Sequence, residues 1–217
     1  GGHVFPKMNA GKIGVKDGFM AAIVELIEIS IFGPGGHTSR PAETVDLIWA
    51  MSQLILAIEQ SVKRCTDQQE PVVLAFGKVS GGNTFNVLPE KIELKGTLRY
   101  LDSELKSRLH GSIDKAVLGI EQMTGAKIDW SVPYTSPGVL NDKQLTQLLQ
   151  KSAEESIGID NVVVLEESSM GGEDFAYYLE HIPGSYYRIG SFDGCSKDVH
   201  TPNFDVDESC IDTTLIF

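Results

Sequence analysis

Two histidines stand nearly 200 positions apart, His3 in GGHVFP and His200 in DVHTPNF. A neutral imidazole nitrogen is a ready ligand for a divalent metal. Spacing this wide is no local zinc motif, and each residue taken alone reads first as an ordinary histidine rather than a ligand. His37 lies in FGPGGHTSRP, where glycines let the backbone turn sharply and come close to a ligand. The stretch lacks the Lys-Ser/Thr of a phosphate loop, so a nucleotide site has little support. A plain turn that contains a histidine is the competing reading. Asn86 sits in GGNTFNVLP and Arg99 in GTLRY. Arg99 is either a solvated cation or a bidentate fork for a carboxylate. In SSMGGEDF, Gly171 and Gly172 come just before an expected helix, whose unpaired N–H groups could hold a carbonyl or carboxylate oxygen. The same segment suits a simple helix start, with Glu173 and Asp174 favoured by the dipole. His110, within a helix, and His181, near a helix end, read as surface histidines.

The elements that must position these residues follow from hydrophobic period. Residues 25–33 (ELIEISIFG) alternate and predict a strand. A helix is expected over 44–64, with Leu47, Met51, Leu54, Ile58 and Val62 on one face. Residues 71–79 form a second strand, with Pro71 at its first position. In the strand 91–100, Ile92, Leu94, Leu98 and Tyr100 point one way, and Lys91, Glu93, Lys95, Thr97 and Arg99 the other. Asp102 or Ser103 then caps a helix with the stripe Leu105, Leu109, Ile113, Val117 and Ile120, ended by Gly125. A last strand covers 126–134. This order of strand, helix, strand, strand, helix, strand is the ferredoxin-like βαββαβ pattern.

The flanks differ. Residues 1–20 read as glycine-rich and irregular. A helix over 141–157 has Asn141 or Asp142 as cap and Gly158 as stop, followed by a strand at 162–165, a helix at 173–180 and a short strand at 186–189. Residues 21–134 therefore read as an α+β domain inserted between 1–20 and 135–217, which belong to a second domain.

Composition narrows the class. The 217 residues carry a formal net charge of −12, so counterion release from phosphates offers nothing and nucleic acid is not an expected partner. No apolar run approaches the roughly 20 residues of a membrane span, so no membrane partner is expected. Cys65, Cys195 and Cys210 are odd in number and far apart, which is neither a disulfide framework nor a zinc knuckle. Reduced thiols in a cytoplasmic protein are the default reading.

Taken in order, HVFPKMNAGKIGVKDG, FGPGGHTSRPAETVD, GGNTFNVLPEKIELKGTLR, SSMGGEDFAYYLE and VHTPNFDVDE resemble the amidohydrolase branch of the dinuclear metallopeptidases related to aminoacylase and carboxypeptidase. Hippurate hydrolases, indoleacetyl-amino-acid hydrolases and N-acetyl-diaminopimelate deacetylases belong to that branch. The resemblance runs over essentially the whole chain. It implies an α/β catalytic domain interrupted by a ferredoxin-like lid or dimerisation domain. It makes His3 and His200 ligands of a site for two divalent metal ions, zinc or manganese, with cobalt as a third candidate. It makes His37 the lid histidine that stabilises the reacting oxygen across a homodimer. Asn86 and Arg99 would hold the substrate carboxylate, and Gly171 and Gly172 would line the substrate. The implied activity is hydrolysis of the amide bond of N-acyl amino acids.

The family also carries a Cys-x-His pair, an aspartate-containing segment and a Glu-Glu pair ahead of the position of His3. These supply the other ligands and the general base, and this chain begins after them. Glu154-Glu155 and Glu166-Glu167 follow the lid instead of preceding it and are no substitutes. The chain also ends at Phe217, ahead of the family's last helix. It is accordingly expected to be a C-terminal fragment, inactive alone. Two alternatives stand beside this expectation: a metallo-exopeptidase acting on dipeptides, and a non-catalytic ferredoxin-like binding or dimerisation module.

Overall fold

The computed structural model describes residues 1–67, 69–192, 194–195 and 199–217. The chain is of mixed α/β class and divides into two compact units. One comprises Gly1–Ala22 with Pro137–Phe217, the other Ile23–Ser136. Each junction lies two residues later than the expected breaks at 20/21 and 134/135.

The chain opens with three strands, β1 (Gly2–Asn9), β2 (Ile13–Val15) and β3 (Gly18–Ala21). The irregular start expected over 1–20 is therefore corrected. In β1, Pro6 and Met8 face inward while His3 and Lys7 are exposed, a period-2 pattern masked by the flanking glycines. Pro6 is tolerated because β1 is an edge strand.

The second unit follows: β4 (Ile23–Phe32), β5 (Gly36–His37), α1 (Leu47–Arg64), β6 (Val72–Gly81), β7 (Val87–Leu88), β8 (Lys91–Tyr100), α2 (Leu105–Thr124) and β9 (Lys127–Ser136). Its sheet has the order β6-β8-β4-β9, every pair antiparallel. The α1 helix starts at Asp46, whose carboxylate accepts from the amides of Ile48 and Trp49 at 3.0 Å. Three residues of the expected helix, 44–46, thus lie outside it. The α1 stripe of Leu47, Leu54, Ile58 and Val62 shares one core with the α2 stripe of Leu105, Leu109, Ile113, Val117 and Ile120. Ile27, Ile29, Ile31, Leu94 and Leu98 complete it from the sheet. Truncating one of these leucines to alanine costs about 2–5 kcal/mol. Gly125 closes α2 at φ 78°, a left-handed conformation that favours glycine. The N-cap of α2 is Glu104 rather than Asp102 or Ser103; the Asp102 carboxylate instead accepts from the Glu104 amide at 2.9 Å.

One polar residue sits on the core side of β4. Glu25 is fully buried, at the parity of Ile27, Ile29 and Ile31. The Tyr100 hydroxyl donates to it at 3.0 Å, His110 Nε2 lies at 2.6 Å and Lys106 Nζ at 3.3 Å. His110, expected at the surface, is part-buried in this network and packs edge-on against Trp130.

The chain then returns to the first unit with β10 (Val139–Asn141), α3 (Lys143–Ile157), β11 (Val162–Val164), α4 (Ala176–Leu179), β12 (Tyr187–Phe192) and α5 (Ser209–Ile216). Its sheet has the order β1-β12-β2-β11, in which only β12 and β2 are antiparallel. Strands β3 and β10 form a separate antiparallel ribbon. Asp142 is the α3 cap. Asn141 is instead a buried clamp: its amide donates to the carbonyls of Lys16 and Tyr186 at 2.8 Å and its Oδ1 accepts from the Tyr186 amide at 2.7 Å. The helix expected over 173–180 is a single turn, since the Glu173 side chain turns back to the Phe175 amide and accepts from the Tyr186 hydroxyl. Among the described residues, no helix is long and apolar enough to cross a membrane.

Candidate metal and substrate-binding residues

His37 and Asn86, 49 positions apart in sequence, meet on one small ribbon. Strand β5 pairs with β7, setting His37 opposite Val87. Next to that pair, the Thr38 amide donates to the Asn86 carbonyl at 3.2 Å. Gly35 makes the approach possible: a Cβ there would stand 2.7 Å from Glu90 Cγ and 2.9 Å from the Leu88 carbonyl oxygen. A cavity of about 470 Å³ beside the ribbon is lined by Gly36, Gly82, Asn83, Thr84 and Lys91 among others.

The donor faces of both side chains are defined by their neighbours. The Ser39 amide lies 3.1 Å from His37 Nδ1, and the Ser39 hydroxyl 2.8 Å from the same nitrogen. A backbone N–H can only donate, so Nδ1 accepts and the neutral ring carries its proton on Nε2. His37 is exposed, so that N–H is available to a ligand. In Asn86, Oδ1 accepts from the Thr84 hydroxyl at 3.1 Å, which leaves the NH2 end as the donor.

Arg99 does not join them. It stands on the half-buried polar side of β8, with Nε donating to Thr97 Oγ1 at 3.3 Å. The ribbon springs from the end of the sheet where Gly81 pairs with Ile92, whereas Arg99 pairs with Val73 at the other end. At about 3.3 Å per residue, about 23 Å of strand lies between Ile92 and Arg99. Within one chain, His37 and Asn86 therefore stand at one end of this sheet and Arg99 toward the other.

In the first unit, His3 is exposed on β1 and pairs with Arg188 on β12. Its Nδ1 donates to the Val4 carbonyl at 2.8 Å, so Nε2 keeps the lone pair a metal requires. His3 and His37 thus hold opposite tautomers, one with a free acceptor and one with a free donor. His200 is exposed and adopts φ 64°, a left-handed conformation uncommon outside glycine. Among the described residues, no group of three His, Cys, Asp or Glu is placed to hold a metal ion. Imidazole donors of this kind fit zinc or manganese, but as part of a ligand set.

The first unit holds a second cavity, of about 360 Å³, lined by Phe5, Lys7, Met20, Glu166, Glu167 and Arg188 among others. Arg188 was not singled out from the sequence. Its guanidinium lies 5.6 Å from the Phe5 ring centre and 5.3 Å from that of Tyr186, whose buried phenol is pushed well up by burial and by its bond to Glu173. By strand alternation and pairing, His3, Phe5, Lys7 and Arg188 share a face. Gly171 and Gly172 lie in a loop four residues before α4, not at a helix start. The Gly171 amide already donates to Ser169 Oγ at 3.0 Å, so it is not an open anion donor.

Residues 1–216 match peptidase family M20/M25/M40. The chain belongs to this family. Named proteins resemble it over 96–100% of its length. A Synechocystis protein named a probable hydrolase is 36% identical over 219 residues, which cover 100% of this chain and 56% of that protein. An N-acetyl-L-cysteine deacetylase of Bacillus subtilis is 34% identical over 210 residues, covering 96% of this chain and 49% of the enzyme. In the solved structure of the Bacillus subtilis YXEP protein, a dinuclear metal-binding peptidase from the M20 family, the match has a TM-score of 0.75 at 29% identity. That match covers 99% of this chain and 53% of the YXEP chain. The chain spans about half the length of the curated relatives it matches.

Proposed function

We propose that this M20/M25/M40 segment belongs to a metal-dependent amidohydrolase that cleaves the amide bond of N-acyl amino acids. The observation that carries this reading is the β5–β7 ribbon, which carries the His37 Nε2–H and, next to the His37–Val87 pair, the Asn86 amide. The similarity to an N-acetyl-L-cysteine deacetylase supports the substrate class.

His3 and His200 would contribute imidazole ligands to a dinuclear centre of zinc, manganese or cobalt. When bound, such ions supply Lewis acidity at the amide carbonyl and lower the pKa of a water molecule. The His37 Nε2–H donates to the carbonyl oxygen as negative charge develops there. The Asn86 amide and the Arg99 guanidinium hold the substrate carboxylate, and the loop at Gly171 and Gly172 lines the substrate. The second unit, with its βαββαβ order, serves as a ferredoxin-like lid and dimerisation domain. The strand length between Arg99 and the ribbon supports a homodimer, in which one lid brings His37 and Asn86 to a substrate held by Arg99 of the other chain. The three cysteines suit a cytoplasmic location, and the charge of −12 does not suit nucleic acid.

The test is release of free amino acid by a full-length protein containing this segment, before and after chelation and with zinc, manganese or cobalt restored. Metal-dependent turnover of N-acetyl or N-benzoyl amino acids is expected. Turnover of unmodified dipeptides alone would overturn the substrate assignment.

A further inference from the structure

We infer that Ser39 is a positioning residue for His37: its hydroxyl and amide together hold the imidazole with the proton on the outward nitrogen. The inference rests on the reading of His37 as the donor to the reacting oxygen. It concerns a residue two places further along the turn that touches no substrate itself.

A neutral imidazole has one N–H and one bare nitrogen, and only the first can stabilise an oxyanion. An exposed ring with no partner samples both forms and several orientations. Here both polar hydrogens of Ser39 converge on one ring atom, the hydroxyl at 2.8 Å and the amide at 3.1 Å. The hydroxyl could in principle accept from Nδ1–H, but the amide cannot, so the two contacts agree only if Nδ1 is bare. The turn that delivers them is tied down at both ends. The Arg40 amide donates to the His37 carbonyl at 2.9 Å, and the Thr38 amide donates to the Asn86 carbonyl at 3.2 Å. Locking the ring in this way requires no charge and no neighbour from another chain. A neutral hydrogen bond is worth about 1 kcal/mol, equivalent to about a fivefold change in an equilibrium.

The test reads the tautomer directly. In 15N-labelled protein at a pH where histidine is neutral, long-range proton–nitrogen correlation spectra distinguish Nε2–H from Nδ1–H, with His37 identified by its loss in H37Q. The expected result is the Nε2–H form at His37. In S39A the minor form should rise about fivefold, and S39T, which keeps a hydroxyl, should restore the wild-type pattern. A His37 ring protonated on Nδ1, or equal tautomer populations in wild type and S39A, would overturn the inference whatever the kinetics show. In the full-length enzyme, S39A should lower kcat by at most about fivefold, in step with the Nε2–H fraction read by NMR, with KM unmoved, and should add nothing to H37A. If the tautomer responds to S39A while H37A leaves kcat intact, the positioning role stands and the reading of His37 as the oxyanion donor fails.

Discussion

Asn86 lies by the ribbon at one end of the β6-β8-β4-β9 sheet and Arg99 toward the other end, although only thirteen positions separate them in sequence. The whole of β8 runs between them, and its neighbours β4 and β6 are paired along it. If both grip one carboxylate, as proposed, the two must come from different chains.

This arrangement divides the kinetic consequences of substitution. In the full-length enzyme, R99A should raise KM roughly 10- to 100-fold, the worth of a charge-assisted bond to a carboxylate, with kcat little changed. H37A should instead lower kcat about 100-fold, because its donor acts on charge present only in the transition state. Steady-state kinetics on an N-acetyl amino acid separate the two. A fall in kcat at constant KM for R99A would place that residue at the chemistry rather than at the carboxylate.

Asn141 should be a stability hot spot in the first unit. Replacing it by alanine strips partners from two carbonyls and one amide in a site where Asn141 itself is only 3% exposed. The expected loss is about 3 kcal/mol, measured as a shift in urea midpoint at unchanged slope. A loss below about 0.5 kcal/mol would mean that water replaces the clamp.

Alkaline pH should weaken the second unit through Tyr100. Burial first, and then the Glu25 carboxylate, hold its phenol well above the ordinary value of 10.0. The folded state thus keeps a proton that the unfolded chain releases. The associated stability is fully present below about pH 10 and is lost as the pH rises from there toward the folded value, by about 1.4 kcal/mol per pH unit. Y100F should be about 1 kcal/mol less stable at pH 8, having lost its bond to Glu25, but should fall less steeply above pH 10. Urea titrations at both pH values check this, and equal alkaline slopes in the two proteins would contradict it.

The repeating parts of the molecule were legible in the sequence because they depend on local period. The alternation of Ile92, Leu94, Leu98 and Tyr100 and the stripe from Leu105 to Ile120 each point to a burial pattern that the structure shows. Glu25 broke the same rule visibly, as a carboxylate in phase with three isoleucines, but its partners come from α2 and β8. Helix α5 carried no apolar stripe to find, with only Cys210 and Thr213 buried. The site residues are harder still. His37 and Asn86 announce themselves by glycine-rich surroundings, yet their meeting on one ribbon exists only once β5 and β7 pair, and the short-range bonds from Ser39 and Thr84 leave no periodic signal. Arg188 looked like one more residue of a short strand until its pairing with His3 set it beside the expected metal ligand.

The most direct measurement mixes two full-length subunits, one carrying H37A and the other H3A, and assays the purified heterodimer on an N-acyl amino acid. If His37 serves the opposite chain, both substitutions fall in the same site, and the other site keeps its metal ligands and receives an intact His37. The heterodimer should then retain about half of wild-type activity, while each mutant homodimer is nearly inactive. If His37 serves its own chain, each site of the heterodimer carries one lesion. Activity as low as that of the two homodimers would contradict a site shared between chains.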